Sequence, residues 1–303
     1  MNNMLDLIII GAGPAGLTAA LYASRAGANV LIFDQGAPGG KLNLTAEIEN
    51  YPGAKMKGPE LAYAMYEQCL SFGAKQEYGQ VTKIEDLGTH KVVYVGDKSY
   101  EAKYVLIATG TKERQMNIPH EEEMTGRGVS YCAVCDGPFF KGKTVTVIGG
   151  GNSAIEESTY LSDFVEKVNV VVRRDVLRAD QYLAEKLLQK PNVEIHYLKK
   201  PHDIEITDAK VSGLIVEDSN TGELSTIQTQ GIFPFIGLDP ITDFVKELGI
   251  LNEKGYIEVD NHQETKVKGI FGAGDVTAKE LRQVVTATND GAIAGQYIAS
   301  LLD

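Results

Sequence analysis

The first clear pattern is an apolar run, Leu7-Ile8-Ile9-Ile10, with no polar alternation. A run this short and this continuous predicts a strand buried on both faces, as in a parallel sheet. Glycines follow at once, in Gly11-Ala12-Gly13-Pro14-Ala15-Gly16, and residues 17 to about 25 carry helical spacing. A second apolar run, 29–33, ends at Asp34. The order strand, glycine turn, helix, strand then recurs. Val145-Thr146-Val147-Ile148 leads into Gly149-Gly150-Gly151-Asn152-Ser153-Ala154, a helical stretch to about 161, and the run 167–172. Each copy closes on a further apolar run ending in small residues, Val105-Leu106-Ile107-Ala108-Thr109-Gly110 and Gly231-Ile232-Phe233-Pro234-Phe235-Ile236-Gly237. Repetition on this scale predicts two domains of one design.

The glycine turns give that design a chemistry. G-x-G-x-x-G between a strand and a helix allows a tight turn and close backbone approach to a pyrophosphate, whose charge the helix N-terminus favours. Asp34 lies 23 residues after Gly11, where an acid accepts hydrogen bonds from ribose hydroxyls. The same step from Gly149 reaches Val172, followed by Arg173, Arg174 and, close behind, Arg178. An acid there repels a 2′-phosphate and arginines bind one, so the second copy is expected to prefer NADP over NAD. The segment 269–275 is another buried run, capped by Gly274-Asp275, and a long helical pattern covers 284–302. An acid at that strand end suits a ribityl hydroxyl, which makes the first nucleotide FAD. The expected fold is α/β, with two Rossmann-like dinucleotide-binding domains. The FAD domain comprises 1–115 and 241–303, and the NADPH domain, 116–240, is inserted into it. The connectors are 111–115 and 238–242, the latter holding Pro240.

Composition adds bounds. The 303 residues suffice for two cores, and 43% hydrophobic with 23% charged residues is ordinary for a globular protein. A net charge of −12 argues against nucleic acid or an anionic membrane as partner. No apolar run approaches a bilayer span, and 7–10 lacks the basic flank of a signal peptide. Three cysteines are too few for a disulfide framework, so a cytoplasmic enzyme is expected.

Two of those cysteines form Cys132-Ala133-Val134-Cys135, followed by Asp136 and Gly137. Cysteines at this spacing can close a small disulfide, and the motif lowers one thiol pKa. Asp136 is placed to exchange a proton with the leaving sulfur. The competing reading, half of a zinc site, needs two further Cys or His at short spacing. Only Cys69 remains, in phase with Leu61 and Met65 on a helix over 59–72, and it reads as core. His90, His120, His196, His202 and His262 share no spacing, and Glu121-Glu122-Glu123 reads as a solvated face. Phe139-Phe140, after Pro138, is either core or an exposed docking patch.

With these residues in hand, the chain resembles a low-molecular-weight thioredoxin reductase over essentially its whole length. The resemblance rests on the two glycine motifs, Pro38-Gly39-Gly40, Glu49-Asn50-Tyr51-Pro52-Gly53, Ala108-Thr109-Gly110, 128–137 with the cysteine pair, Arg173-Arg174, Gly272-Ala273-Gly274-Asp275 and Arg282-Gln283. It implies a homodimer that binds FAD, uses NADPH and reduces thioredoxin. Carried over, Cys135 would face the flavin, Cys132 would attack thioredoxin, and Asp136 would be the acid. FAD would be held by Gly11, Gly13, Pro14, Ala15, Gly16, Asp34, Gln35, Gly40, Lys41, Asn50, Val81, Ala108, Thr109, Gly110, Gly274, Asp275, Arg282, Gln283 and Val284. NADPH would meet Gly149, Gly151, Asn152, Ser153, Arg173, Arg174, Arg178, Ile236 and Gly237. Arg127, Phe139 and Phe140 fall where the family contacts thioredoxin. The sequence departs from the family at Lys41, usually glutamine; at Val172, often histidine; and at Asn289-Asp290, usually small residues. No metal is implied.

The expected reaction runs from NADPH through FAD and the cysteine pair to thioredoxin. Since cysteines and NADPH site share the inserted domain and must serve one flavin, that domain is expected to alternate between two positions. The alternatives are a related flavoprotein disulfide reductase acting on another redox carrier, and a nucleotide-binding redox sensor without turnover.

Overall fold

The computed structural model describes residues 4–45 and 48–302, with the backbone alone at Glu49 and Ala54. The side chain of Glu49, in the motif at 49–53, therefore lies outside the described residues. The chain divides into two compact units, Met1–Lys112 with Asp239–Asp303, and Glu113–Leu238.

In the first unit, Leu5–Ile10 lies between Val30–Asp34 and Lys98–Ile107 and runs parallel to both. Lys75–Tyr78 extends the sheet beyond Val30–Asp34. Ile270–Gly272 pairs parallel with the second half of Lys98–Ile107, so the C-terminal stretch completes the N-terminal sheet. The first half of that long strand instead joins an antiparallel meander with Lys91–Val95 and Val81–Asp86. Helix Pro14–Arg25 starts three residues before the apolar periodicity, because Pro14 at its first position has φ already set for a helix. It packs on helix Val284–Ser300 at van der Waals limit: a Cβ on Gly291 would strike Ala15 O, and one on Gly295 would lie 2.5 Å from Ala19 O. Leu7, Ile9, Leu17, Ala20 and Ile298 fill the core between sheet and helices. Ile8, Ile10, Val105, Ile107 and Ile257 fill the other face. Each such fully buried Leu or Ile contributes roughly 1.5–3 kcal/mol relative to exposure.

The second unit repeats the plan on a smaller scale. Val193–Tyr197, Lys167–Val172, Thr144–Ile148 and Gly231–Pro234 form a parallel sheet in that order. Helix Asn152–Ser162 follows the second glycine turn. A second antiparallel meander, Lys199–Thr207, Lys210–Asp218 and Leu224–Gln228, stands where the first unit has its own.

The connectors are more regular than expected: Thr111–Glu113 and Leu238–Pro240 pair as a two-stranded ribbon. Among the described residues no helix is long and apolar enough to cross a membrane.

Candidate active site

The first glycine turn is built by its own packing. Gly11 has φ +107°, and a Cβ there would collide with the carbonyl of Ala108. A Cβ on Gly16 would collide with Gly11 O. These two glycines are required by the protein itself. Gly13 is different: its backbone is extended, and nothing lies within 4 Å of where its Cβ would be. The open side of Gly13 is what a close-approaching phosphate needs, at the N-terminus of Pro14–Arg25. Around it stand Gly40, whose Cβ position is 3.4 Å from Gly13 Cα, and Gly274, whose Cβ position is 2.8 Å from Ala15 Cβ. Asp34 closes the turn by accepting from Ala12 N–H at 2.6 Å and Gly36 N–H at 2.8 Å. Gln35 is exposed beside it. Gly79 N–H donates to Asp34 O at 2.9 Å, which brings the buried Val81 to this end of the sheet.

The residues around Asp275 and the start of helix Val284–Ser300 are polar and cationic. Asn50 Nδ2 donates to Gln283 Oε1 at 2.9 Å, and Gln283 caps the helix that Val284 begins. Arg282 donates to Asp275 O at 3.3 Å and stacks over Tyr256. Burial pushes the Asp275 carboxyl upward, and the cations Lys41, Lys279 and Arg282 pull it back. Asp290, which sequence reading noted only as a departure, accepts from Gly274 N–H at 2.9 Å and pairs with Lys279. Thr109 Oγ1 donates to Ile241 O at 2.7 Å, and Gly110 follows with φ +68°. The FAD residues expected from the sequence are thus assembled in one unit, and the open face at Gly13 fits the group.

The second turn repeats this logic. Gly149 has φ +140°, its Cβ position blocked by Phe235 O, and Gly151 again faces open space. Ile236 packs on the unit's core, and Gly237, φ +134°, is covered by the Arg114 guanidinium at 3.2 Å. Val172 is buried with Cγ1 2.9 Å from where a Gly150 Cβ would lie, so apolar contact fills the acid's place. Arg173, Arg174, Arg178 and Ser153 are exposed, and among the described residues none of the three guanidiniums is paired with a carboxylate. They are free to take a phosphate.

Cys132 and Cys135 form a disulfide with Cα atoms 5.3 Å apart, replacing the zinc alternative. Cys132 is the N-cap of the single turn Ala133–Asp136, and Cys135 lies within that turn. Ala133 is buried in the core, and a Cβ on Gly137 would press on Leu161 and Phe164, so the turn is seated on helix Asn152–Ser162. Ser130, part of the motif at 128–137 but given no role by the sequence, accepts from Cys132 N–H at 3.1 Å and donates to Cys132 O at 3.3 Å. Cys135 is exposed; Cys132 and Asp136 are half-buried.

Glu121 overturns the reading of the acidic run as a solvated face. It is buried and accepts from Met116 N–H at 2.8 Å, Asn117 N–H at 2.7 Å and the Tyr131 hydroxyl, while Glu122 and Glu123 are exposed. A run of like charges carries no sign of which member has partners. The phenylalanines divide between the two readings: Phe139 is 73% exposed, and Phe140 packs edge-on against Phe233. Arg127 is exposed in the same unit. Cys69 is buried, donates to Tyr66 O, and has its thiol pushed up to about 11 by burial, as a packing residue would. Among the described residues no group of His, Cys, Asp and Glu could hold a metal.

Comparison with known proteins covers nearly the whole chain. The family model of the pyridine nucleotide-disulphide oxidoreductases matches residues 5–291. The thioredoxin reductase of Bacillus subtilis is 48% identical over 98% of this chain and 94% of its own length. That of Listeria monocytogenes is 46% identical over 97% and 93%. The crystal structure of Lactococcus lactis thioredoxin reductase superposes with a TM-score of 0.96 at 43% identity, covering 98% of this chain and 99% of that one.

Proposed function

Because the chain belongs to the thioredoxin reductases, within the pyridine nucleotide-disulphide oxidoreductase family, we infer that it is an NADPH-dependent FAD enzyme that reduces the disulfide of thioredoxin. The observation that carries this reading is the Cys132–Cys135 disulfide in the unit whose glycine turn is followed by unpaired arginines. The other unit holds the acid-closed turn. Residues 1–115 with 241–303 are the FAD domain and 116–240 the NADPH domain. FAD lies along Gly13, Asp34, Gly40, Asn50, Gly110 and Asp275. NADPH lies on Gly151, with Arg173, Arg174 and Arg178 on its 2′-phosphate.

Held along these residues, FAD would supply the two-electron chemistry that links the nicotinamide to the Cys132–Cys135 disulfide. The chain's own residues then act on thioredoxin. The Cys132 thiolate attacks one sulfur of the thioredoxin disulfide; that S–S bond breaks and a mixed disulfide forms. The departing thioredoxin thiolate takes a proton, for which Asp136, next to Cys135 in the chain, is the acid in this reading. Cys135 attacks the Cys132 sulfur, re-forms the Cys132–Cys135 disulfide and releases the second thioredoxin sulfur. Ser130 fixes the Cys132 backbone throughout. Phe139 with Arg127 forms the docking patch. The enzyme works as a homodimer in the cytoplasm, a reading supported by the family and by the few cysteines. Turnover alternates between an arrangement serving the cysteines and one serving the nicotinamide.

The test is trapping. Cys135→Ser should accumulate a stable Cys132–thioredoxin mixed disulfide, since nothing resolves it, and Cys132→Ser should not. Trapping by the Cys132→Ser protein instead would reverse the two roles.

A further inference from the structure

Asp180 stands at the N-cap of helix Gln181–Leu188, where an aspartate ordinarily accepts from its own helix, yet it makes no capping bond. Its carboxylate instead accepts from Asn152 Nδ2 at 2.8 Å, and its backbone N–H donates to Asn152 Oδ1 at 2.8 Å. Asn152 is the first residue of the helix that follows the second glycine turn. The segment between the partners is tied down once more, by Arg178 N–H on Gly150 O at 2.6 Å. The arginine segment 173–178 is therefore anchored behind by the strand ending at Val172 and ahead by three hydrogen bonds to the glycine turn. Neither sequence spacing nor family resemblance pointed to Asp180.

We propose that the Asp180–Asn152 pair is a clamp that holds the arginine loop against the glycine turn, making Asp180 a positioning residue for cofactor selectivity. The proposal rests on the reading of this loop as the 2′-phosphate site. A loop already fixed in its binding shape loses less conformational entropy when the ligand arrives. The arginines act only on the 2′-phosphate, and Asn152 keeps its bond from the Asp180 backbone N–H when the Asp180 side chain is removed, so the effect belongs to NADPH and not to NADH. It also opposes simple electrostatics. A carboxylate near the site repels a phosphate, so its removal should tighten NADPH binding if charge were its only influence. The two views predict opposite signs.

The experiment compares Asp180→Ala and Asp180→Asn in the FAD-loaded enzyme, with NADPH and NADH as alternative donors. Asp180→Ala loses the side-chain half of the clamp, and the KM for NADPH should rise roughly three- to tenfold, the net worth of one ordinary solvent-exposed hydrogen bond. The KM for NADH should stay within about twofold, kcat should not change, and, because Asp180 caps nothing, neither should the thermal midpoint. Asp180→Asn keeps an acceptor for Asn152 while removing the charge, so its KM for NADPH should equal or fall below that of the wild type. The proposal is overturned by any of four results: an unchanged or lower KM for NADPH in Asp180→Ala, a parallel rise for NADH, a large fall in thermal midpoint, or Asp180→Asn behaving as Asp180→Ala. The double variant Arg173→Ala/Arg174→Ala is the control for the underlying reading. Equal losses with both donors there would remove the 2′-phosphate site itself; selective loss there without an effect of Asp180→Ala would remove only the clamp.

Discussion

The two glycine turns of this chain close alike at two points and differently at a third. In both, the first glycine lies under a carbonyl from the run that closes its unit, Ala108 O over Gly11 and Phe235 O over Gly149. In both, the loop after the second strand donates a backbone N–H to the middle residue of G-x-G, Gly39 to Ala12 O at 2.7 Å and Arg178 to Gly150 O at 2.6 Å. The difference is the tie to the strand end. Asp34 carries it in the first unit with two hydrogen bonds to backbone N–H groups. In the second, Val172 fills that place with a methyl group and the tie moves downstream to Asp180. Moving the acid away from the strand end leaves that position to arginines. One architecture thus presents an acid at the strand end in one copy and arginines in the other.

The comparison breaks first at the open glycines. Gly13→Val should yield protein without FAD, whereas Gly151→Val should retain FAD and lose NADPH affinity on the order of 100-fold, about two charge-assisted bonds. Flavin absorbance of the purified variants and NADPH kinetics check both. Equal loss of FAD in the two would contradict the assignment of ligands to units. Next in size is Arg173→Ala/Arg174→Ala, expected to lower kcat/KM for NADPH by roughly 30-fold or more and for NADH by less than about threefold. Val172→Asp imposes the first unit's chemistry on the second and should cut the NADPH-to-NADH preference by about tenfold, measured as the ratio of kcat/KM values.

The smallest effect concerns the helices behind the turns. Ala19 in the first helix, buried beneath Gly295, corresponds by spacing from the first glycine to Glu157 in the second. The Glu157 carboxyl has a buried oxygen without a partner among the described residues. Burial, with Glu156 nearby, raises its pKa from an ordinary 4.5 to about 7. Between those values the folded chain holds a proton that the unfolded chain has released, so stability falls as pH rises through the window and stays lower above it. Glu157→Gln should flatten that decline and stabilise the protein at pH 8 by on the order of 1–2 kcal/mol. Denaturant midpoints at pH 5 and pH 8 measure it. A slope unchanged by the substitution would show that the carboxyl is not the cause.

Much of this was legible in residue order, for a physical reason: strand, turn and helix in each copy are local, and buried parallel strands announce themselves as unbroken apolar runs. The strand Lys167–Val172 coincides with its apolar run residue for residue. Local pattern fails where the partner is distant. The pairing of Thr111–Glu113 with Leu238–Pro240 joins segments far apart in the chain and looks like two loops until they meet. Glu121 looks like Glu122 and Glu123 until Met116, Asn117 and Tyr131 surround it. Phe139 and Phe140 differ only in what the fold puts behind them. Asp180 looks like a helix cap, and nothing in its neighbourhood in sequence reveals Asn152. The nucleotide and cysteine sites were visible because they are contiguous motifs; the residues that position them were not.

The central claim is that electrons leave NADPH and reach thioredoxin only through Cys132 and Cys135. The most direct measurement follows NADPH oxidation and thioredoxin dithiol formation together, in the FAD-loaded wild type and in Cys132→Ser and Cys135→Ser. The wild type should form one thioredoxin dithiol per NADPH consumed. Both variants should still have their flavin bleached by NADPH yet reduce thioredoxin at background rate. Sustained thioredoxin reduction by either variant would contradict the account, as would a wild-type flavin that NADPH fails to bleach.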